Sequence, residues 1–333
     1  MAVYTRLGAE ELARIVEVYE VGTLVSAKGI AEGVSNSNWL IETQSEAGST
    51  RRFILTMYET RVEIGDLPFF LDLLDHLAAR NCPVPRTIHD RDGASYRLHD
   101  GKALALIEFL PGVSVSEPTA SQARAVGAAL AQVHLAARDF GGSRRNGMGL
   151  QAWAELLGAC GPDGLAAIDP GLPELVEHEL RAVSAGWPAH LPQSVIHADL
   201  FPDNVLMLGD RVTGLIDFYF ACVDTTAYDV AVTHAAWCFS PDGTRFMPEL
   251  SAALLAGYAA VRPLSEDERD ALPLLARAAS LRFLATRAYD RANTPADALV
   301  TPKDPMAFAR RLAFYREPCN AAVFSTSETA GQD

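Results

Sequence analysis

The stretch that most constrains the fold is residues 195–220, VIHADLFPDNVLMLGDRVTGLIDFYF. An apolar run ends at Val195-Ile196, and His197-Ala198-Asp199 opens a short polar loop, with Asn204 five residues after Asp199. Residues 205–208 and 212–216 flank Gly209-Asp210, which predicts a β-hairpin closed by a two-residue turn. Such a turn pairs Leu208 with Arg211 and brings Asn204 and Asp217 to the same open end. Three oxygen-bearing side chains, Asp199, Asn204 and Asp217, therefore converge.

Phosphoryl transfer needs a set of this kind. Mg²⁺ takes oxygen ligands in near-octahedral geometry and keeps waters and substrate phosphates in its shell. Asp217 as an anionic ligand and Asn204 as a neutral one would hold Mg²⁺ against the phosphates of ATP. Asp199 would face an attacking hydroxyl, orient it and accept its proton, with His197 beside it in the catalytic loop. The kinase pattern is His-x-Asp-x-x-x-x-Asn followed by a strand ending Ile-Asp-Phe, met here by His197, Asp199, Asn204 and Ile216-Asp217-Phe218. The plainer account is a loop and hairpin whose carboxylates cap turns. Two motifs in the right order, with a hairpin of suitable length between them, argue against it.

The N-terminal third fits the same scheme. Residues 7–20 carry Leu12, Ile15, Val16 and Tyr19 at helical spacing after an acidic start, and residues 21–26, 38–43 and 53–58 read as strands. Between the first two strands lies Lys28-Gly-Ile-Ala-Glu-Gly-Val-Ser-Asn-Ser37. Its Gly29, Gly33, Ser35 and Asn36 suit a loop whose backbone N–H groups cover phosphate oxygens. The third strand departs from the general kinase pattern, which puts a phosphate-neutralising lysine where this chain has Thr56. Lys28 and Arg61 are the candidate replacements, and the sequence does not choose between them. Residues 66–79 predict an amphipathic helix opened by Pro68. Two further strands, residues 95–98 and 103–109, lead into Leu110-Pro111-Gly112, a hinge that makes backbone groups from Glu108 to Leu110 candidates for the edge of adenine. The rest is mostly helical: residues 120–137, 173–185 and 270–290 read as helices, and 158–171 as a glycine- and proline-containing surface loop. Eleven residues separate Phe218 from Val230, and Tyr219 replaces the glycine that follows Asp-Phe in protein kinases. That spacing leaves no room for an activation segment and points to a small-molecule acceptor. Asp229 reads as a helix-capping or loop-fixing residue. The expected fold is α+β and bilobal, protein-kinase-like, with a small β-rich lobe over residues 1–110 and a larger, mostly helical lobe over 111–333.

At this point the chain resembles a family, the aminoglycoside-phosphotransferase-like kinases, and within it the homoserine kinases of that fold. Residues 29–38, 53–59, 66–71, 197–204, 216–222, 236–239, 282–287 and 303–305 carry the resemblance nearly end to end. It implies transfer of phosphate from ATP to the side-chain hydroxyl of L-homoserine, giving O-phosphohomoserine for threonine synthesis. Homoserine presents a carboxylate and an ammonium, and a planar guanidinium binds carboxylate in a bidentate way. Arg282 and Arg287, in the matched Arg-Phe-Leu-Ala-Thr-Arg segment, are the candidates for the carboxylate, and Asp224 or Asp290 for the ammonium. The match includes the segment that carries Thr56.

Composition sets outer bounds. A net charge of −14 disfavours nucleic-acid or anionic-membrane partners. The five cysteines are odd in number, scattered and free of Cys-x-x-Cys pairs, so a reducing cytoplasm is the expected setting. No apolar run approaches the roughly 20 residues of a membrane span, and the N-terminus lacks a signal pattern. A homo-oligomer is left open. Two rivals stand beside the homoserine reading. A sister kinase for choline, an aminoglycoside or another amino alcohol keeps Asp199, Asn204 and Asp217; choline would favour an aromatic cage, for which Tyr219, Trp237 and Phe239 are available. A nucleotide-binding protein without catalysis is the other, motivated by Thr56.

Overall fold

Apolar residues alternate along the first strands, and the computed structural model, which describes residues 5, 7–30, 36–59, 62–294 and 302–325, places one face of them in a core. Helix α1 (Ala9–Glu17) precedes the antiparallel strands β1 (Thr23–Ile30), β2 (Asn36–Gln44) and β3 (Thr50–Tyr58). Helix α2 (Leu67–Ala79) follows, then β4 (Thr87–Ile88), β5 (Arg97–His99) and β6 (Lys102–Glu108). The sheet order is β1-β2-β3-β6-β4, with β5 paired to the first part of β6. Trp39, Ile41, Phe53, Leu55, Met57, Leu104 and Leu106 pack beneath Leu12, Val16 and Tyr19. Each fully buried side chain of this size contributes about 1.5–3 kcal/mol.

The apolar stripe of α2 is wide enough to serve two cores. Leu67 and Leu71 pack against Tyr58, Ala103 and Ala105 of the sheet, whereas Phe70, Leu73, Leu74 and Leu77 belong to the large C-terminal core. The helix thus straddles the division expected at residue 110.

After β6 come α3 (Ala120–Ala136), α4 (Leu150–Ile168), α5 (Leu172–Gly186), β7 (Gln193–Ile196), β8 (Val205–Leu208), β9 (Arg211–Leu215), β10 (Cys222–Thr225), α6 (Thr226–Trp237), α7 (Pro248–Val261), α8 (Glu266–Asn293) and α9 (Met306–Arg316). The expected surface loop at residues 158–171 is instead largely helix. Gly161, at φ 67°, breaks α4 and Pro162 restarts it, and Leu157 and Leu165 bury on either side of the kink. Glycine and proline here punctuate two short helices rather than mark a loop. The short stretch after Asp217 holds a strand that sequence reading missed: β10 pairs antiparallel with β7, Cys222 opposite Ile196. Among the described residues no helix is long and apolar enough to cross a membrane.

Helices α3 and α7 cross in backbone contact. A Cβ added to Gly127 would lie 2.1 Å from the Leu254 carbonyl oxygen, and one added to Gly257 would lie 2.0 Å from that of Arg124. Neither obstacle is a flexible side chain. Gly257→Ala is therefore expected to destabilise the protein by about 1–3 kcal/mol or more, read as a lower thermal midpoint. An unchanged midpoint would show that the helices can separate at no cost.

Candidate active site

The hairpin forms in the expected register. Leu208 pairs with Arg211 and Val205 with Leu215, with a shift between Leu206 and Met207. Two bonds at Ile216 then tie the hairpin's end to the preceding loop: its N–H donates to the Asn204 carbonyl (3.0 Å) and its carbonyl faces His197 Nε2 (2.9 Å). Asn204 Nδ2 donates to the Asp199 carbonyl (2.8 Å) and lies 3.4 Å from Asp199 Oδ2. That orientation leaves Asn204 Oδ1 as the oxygen donor of its amide. Asp217 stands at the strand end in left-handed backbone conformation, φ 65° and ψ 54°.

The loop is held from behind by a buried carboxylate. Asp229, one turn into α6, accepts the N–H of His197 at Oδ2 (2.7 Å) and that of Ala198 at Oδ1 (2.8 Å), and also meets His134 Nε2 (3.0 Å). Burial by itself would raise the Asp229 carboxyl, but the His134 hydrogen bond and the neighbouring charges and N–H groups outweigh it and hold the group below its usual value. Asp229 is thus loop-fixing. Ala198 needs such fixing, because at φ 64° it occupies a region that costs a non-glycine residue roughly 1–2 kcal/mol. Arg282 grips the other side of that residue by donating from Nη1 to the Ala198 carbonyl.

Arg282 therefore does not stand as a clamp for substrate carboxylate. It is 2% exposed, its guanidinium lies between the rings of Phe220 (5.3 Å) and Phe283 (4.7 Å), and Nη2 is 3.9 Å from Asp199 Oδ1. The inward stripe of α8 that buries Ala278, Leu281 and Ala285 carries it into the core. His197 also lies behind the cleft rather than in it: its ring is fully buried, Nδ1 accepts the Asp199 N–H (3.2 Å), and Nε2 donates to Ile216. Burial keeps this imidazole below its usual pKa, so it is neutral and positions the loop. Asp224 is likewise engaged internally, by Asn146 Nδ2 (2.7 Å) and the Thr225 N–H (2.7 Å). Asp290, the other candidate for the ammonium, is exposed near the end of α8.

The remaining named residues divide as follows. Lys28 and Gly29 lie within β1, opposite Leu40 and Trp39, and Lys28 is exposed. Asn36 begins β2 and is buried with its Oδ1 unpartnered. Gly33, Ser35 and Arg61 fall outside the described residues. Thr56 is 3% exposed and donates to Asn38 Oδ1 (2.8 Å), so the position of the usual lysine is filled by a hydrogen bond inside the sheet. Lys102 is engaged by Glu59 and Thr5. The Glu108 N–H donates to the Arg86 carbonyl (2.9 Å), and the Leu110 side chain covers Gly214 of the hairpin.

Electrostatically the cleft calls for a cation. Burial pushes the Asp199 carboxyl up to about 7; Arg282 opposes this, while Asp217 and Asp203 add to it. Burial and the charge of Asp203 push Asp217 up to about 6. Carboxylates desolvated and close to one another favour protonation unless a positive ion joins them. The donors offered, Asp217 and Asn204 Oδ1, are hard oxygens of the kind Mg²⁺ takes.

Sequence reasoning missed three features here. Tyr58 and Tyr219 meet hydroxyl to hydroxyl (3.0 Å), joining β3 to the segment after Asp217. Arg144 donates to Asp66 Oδ2 (2.6 Å) at the start of α2 and to the Ala221 carbonyl (3.2 Å). Asp203 and Lys303 pair at the mouth of the catalytic loop (3.4 Å). All three join segments 77 to 161 residues apart, and no local spacing encodes them.

Comparison with known proteins identifies the family. The phosphotransferase enzyme family matches residues 26–264. A homoserine kinase of Azorhizobium caulinodans is 50% identical over 321 residues, covering 96% of this chain and 98% of that protein. One from Nitrobacter winogradskyi is 51% identical over 317 residues, 94% of each. Among solved structures, an amicoumacin kinase in complex with AMP-PNP and Ca²⁺ superposes with a TM-score of 0.70 at 15% identity, over 92% of both chains. The bilobal kinase-like fold, with its antiparallel N-terminal sheet and larger helical part, is common to both, and the chain belongs to the phosphotransferase enzyme family, in its homoserine kinase branch.

Proposed function

We propose that this chain transfers the γ-phosphate of Mg-ATP to the side-chain hydroxyl of L-homoserine, yielding O-phosphohomoserine and ADP. One observation carries the reaction type: Asp199, Asn204 and Asp217 are drawn to a single open end by the paired bonds at Ile216. The acceptor follows from full-length relatives named homoserine kinase.

In this reading the homoserine γ-oxygen forms the new bond to phosphorus as the bond to the β-phosphate breaks. Asp199 orients the hydroxyl and takes its proton, a task suited to a carboxylate whose affinity for protons burial has raised. A divalent cation held by Asn204 Oδ1 and Asp217 would neutralise charge on the phosphates. Lys28, near the end of β1, and Arg61 are the two candidate cations for those phosphates. Arg287 adds positive charge toward the acceptor: it is half-buried over the Phe308 ring (4.5 Å) and donates to the Asp304 carbonyl (3.1 Å).

The hydroxyl of Thr56 in place of an ammonium favours one other reading, nucleotide binding without turnover. Both are tested by ADP release from Mg-ATP with L-homoserine, choline, an aminoglycoside or no acceptor. Turnover with homoserine and not with the others is expected. Turnover with another acceptor alone moves the assignment within the family, and Mg-ATP binding without any turnover overturns the enzyme reading.

A further inference from the structure

We propose that Asp203 and Lys303 are the two poles that read the charged head of an α-amino-acid acceptor, Lys303 taking its carboxylate and Asp203 its ammonium. This rests on the functional reading above and names the recognition that reading leaves open.

The two residues are 100 apart in sequence, yet Lys303 Nζ lies 3.4 Å from Asp203 Oδ2. Asp203 sits in the turn Pro202–Asn204, immediately before the proposed metal ligand. Lys303 lies over the Phe201 ring (5.8 Å). The next residue, Asp304, is held by Arg287 at its carbonyl (3.1 Å) and by the Met306 N–H at Oδ1 (2.9 Å), which fixes the backbone beside Lys303.

The pair borders the proposed chemistry, because Asp203 directly precedes Asn204 in the turn that closes the catalytic loop. A hydroxyl held at Asp199 leaves the α-carbon of homoserine only two methylenes away, so its charged head must fall near this rim. The pair is also easy to open. Its side chains are 65% and 63% exposed, and such surface ion pairs contribute about 0–1 kcal/mol. A zwitterion can therefore insert between them, each of its charges replacing the one it displaces. Lys303 is one of three lysines in a chain of net charge −14. Of the other two, Lys102 is engaged by Glu59, and Lys28 lies on β1.

The test is steady-state kinetics on the wild-type protein, Asp203→Asn, Lys303→Gln and the exchanged pair Asp203→Lys/Lys303→Asp. Three acceptors are used: homoserine, 3-aminopropanol, which lacks the carboxylate, and 4-hydroxybutyrate, which lacks the ammonium. Lys303→Gln is expected to raise KM for homoserine by about tenfold or more and to leave 3-aminopropanol and ATP unaffected. Asp203→Asn should do the same for homoserine while sparing 4-hydroxybutyrate and ATP. The exchanged pair restores the ion pair with reversed polarity and should not restore homoserine affinity.

Recovery in the exchanged pair would make the contact structural and overturn the proposal. So would losses equal across all three acceptors, or a rise in KM for ATP on Asp203→Asn, which would make Asp203 a metal or nucleotide residue. Failure of the wild-type protein to turn over homoserine overturns the functional reading instead, and is seen before any variant is made.

Discussion

Asp199→Asn lowers kcat by about 10²–10⁴-fold while leaving Mg-ATP affinity close to wild type. The amide keeps the size of the carboxylate but cannot take the proton of the attacking hydroxyl. The loop itself does not depend on that side chain. Asn204 Nδ2 holds the Asp199 backbone carbonyl (2.8 Å), and Asp229 and Arg282 hold the residues before it. Folding, read by thermal unfolding, therefore stays near wild type, and the loss lies in turnover. A variant with full turnover would remove Asp199 from the chemistry.

Asp217→Ala acts on a different quantity. It removes the anionic oxygen at the hairpin's end, so binding of Mg-ATP itself weakens, by about 10–100-fold or more, the range for losing even an outer partner of a metal site. Titration calorimetry with Mg-ATP and with ATP in chelator separates the metal-dependent part. Equal affinity in wild type and variant would show that Asp217 holds no metal. The two variants thus divide the site: Asp199 appears in kcat, Asp217 in nucleotide affinity.

What the sequence disclosed is what lies within short range. The hairpin register follows from Gly209-Asp210 between two apolar runs, and with it the meeting of Asn204 and Asp217. The helix and strand pattern of the N-terminal sheet follows from periodicity. Where the reading failed, the missing information was three-dimensional. Arg282 and Arg287 look alike in the chain, yet residue 282 lies on the buried stripe of α8 and residue 287 does not. Asp224 has the right charge, but Asn146, 78 residues earlier, takes it. Gly161-Pro162 carries the composition of a loop, and only burial of Leu157 and Leu165 shows that the flanking turns are helical. The ion pair of Asp203 with Lys303 joins two exposed positions that no local pattern connects.

The brace at Asp229 has an evolutionary corollary. Its carboxylate rises from α6, a helix in which all twelve residues are buried, and sets the backbone of His197 and Ala198 from within the large core. Packing penalises substitutions in that core, which shields the backbone geometry of this loop from changes at the surface. The rim formed by Asp203, Lys303 and Arg287 comes from other segments, and its exposed members can change with little penalty to folding. A lineage built this way can sample new acceptors while its phosphoryl-transfer machinery stays intact.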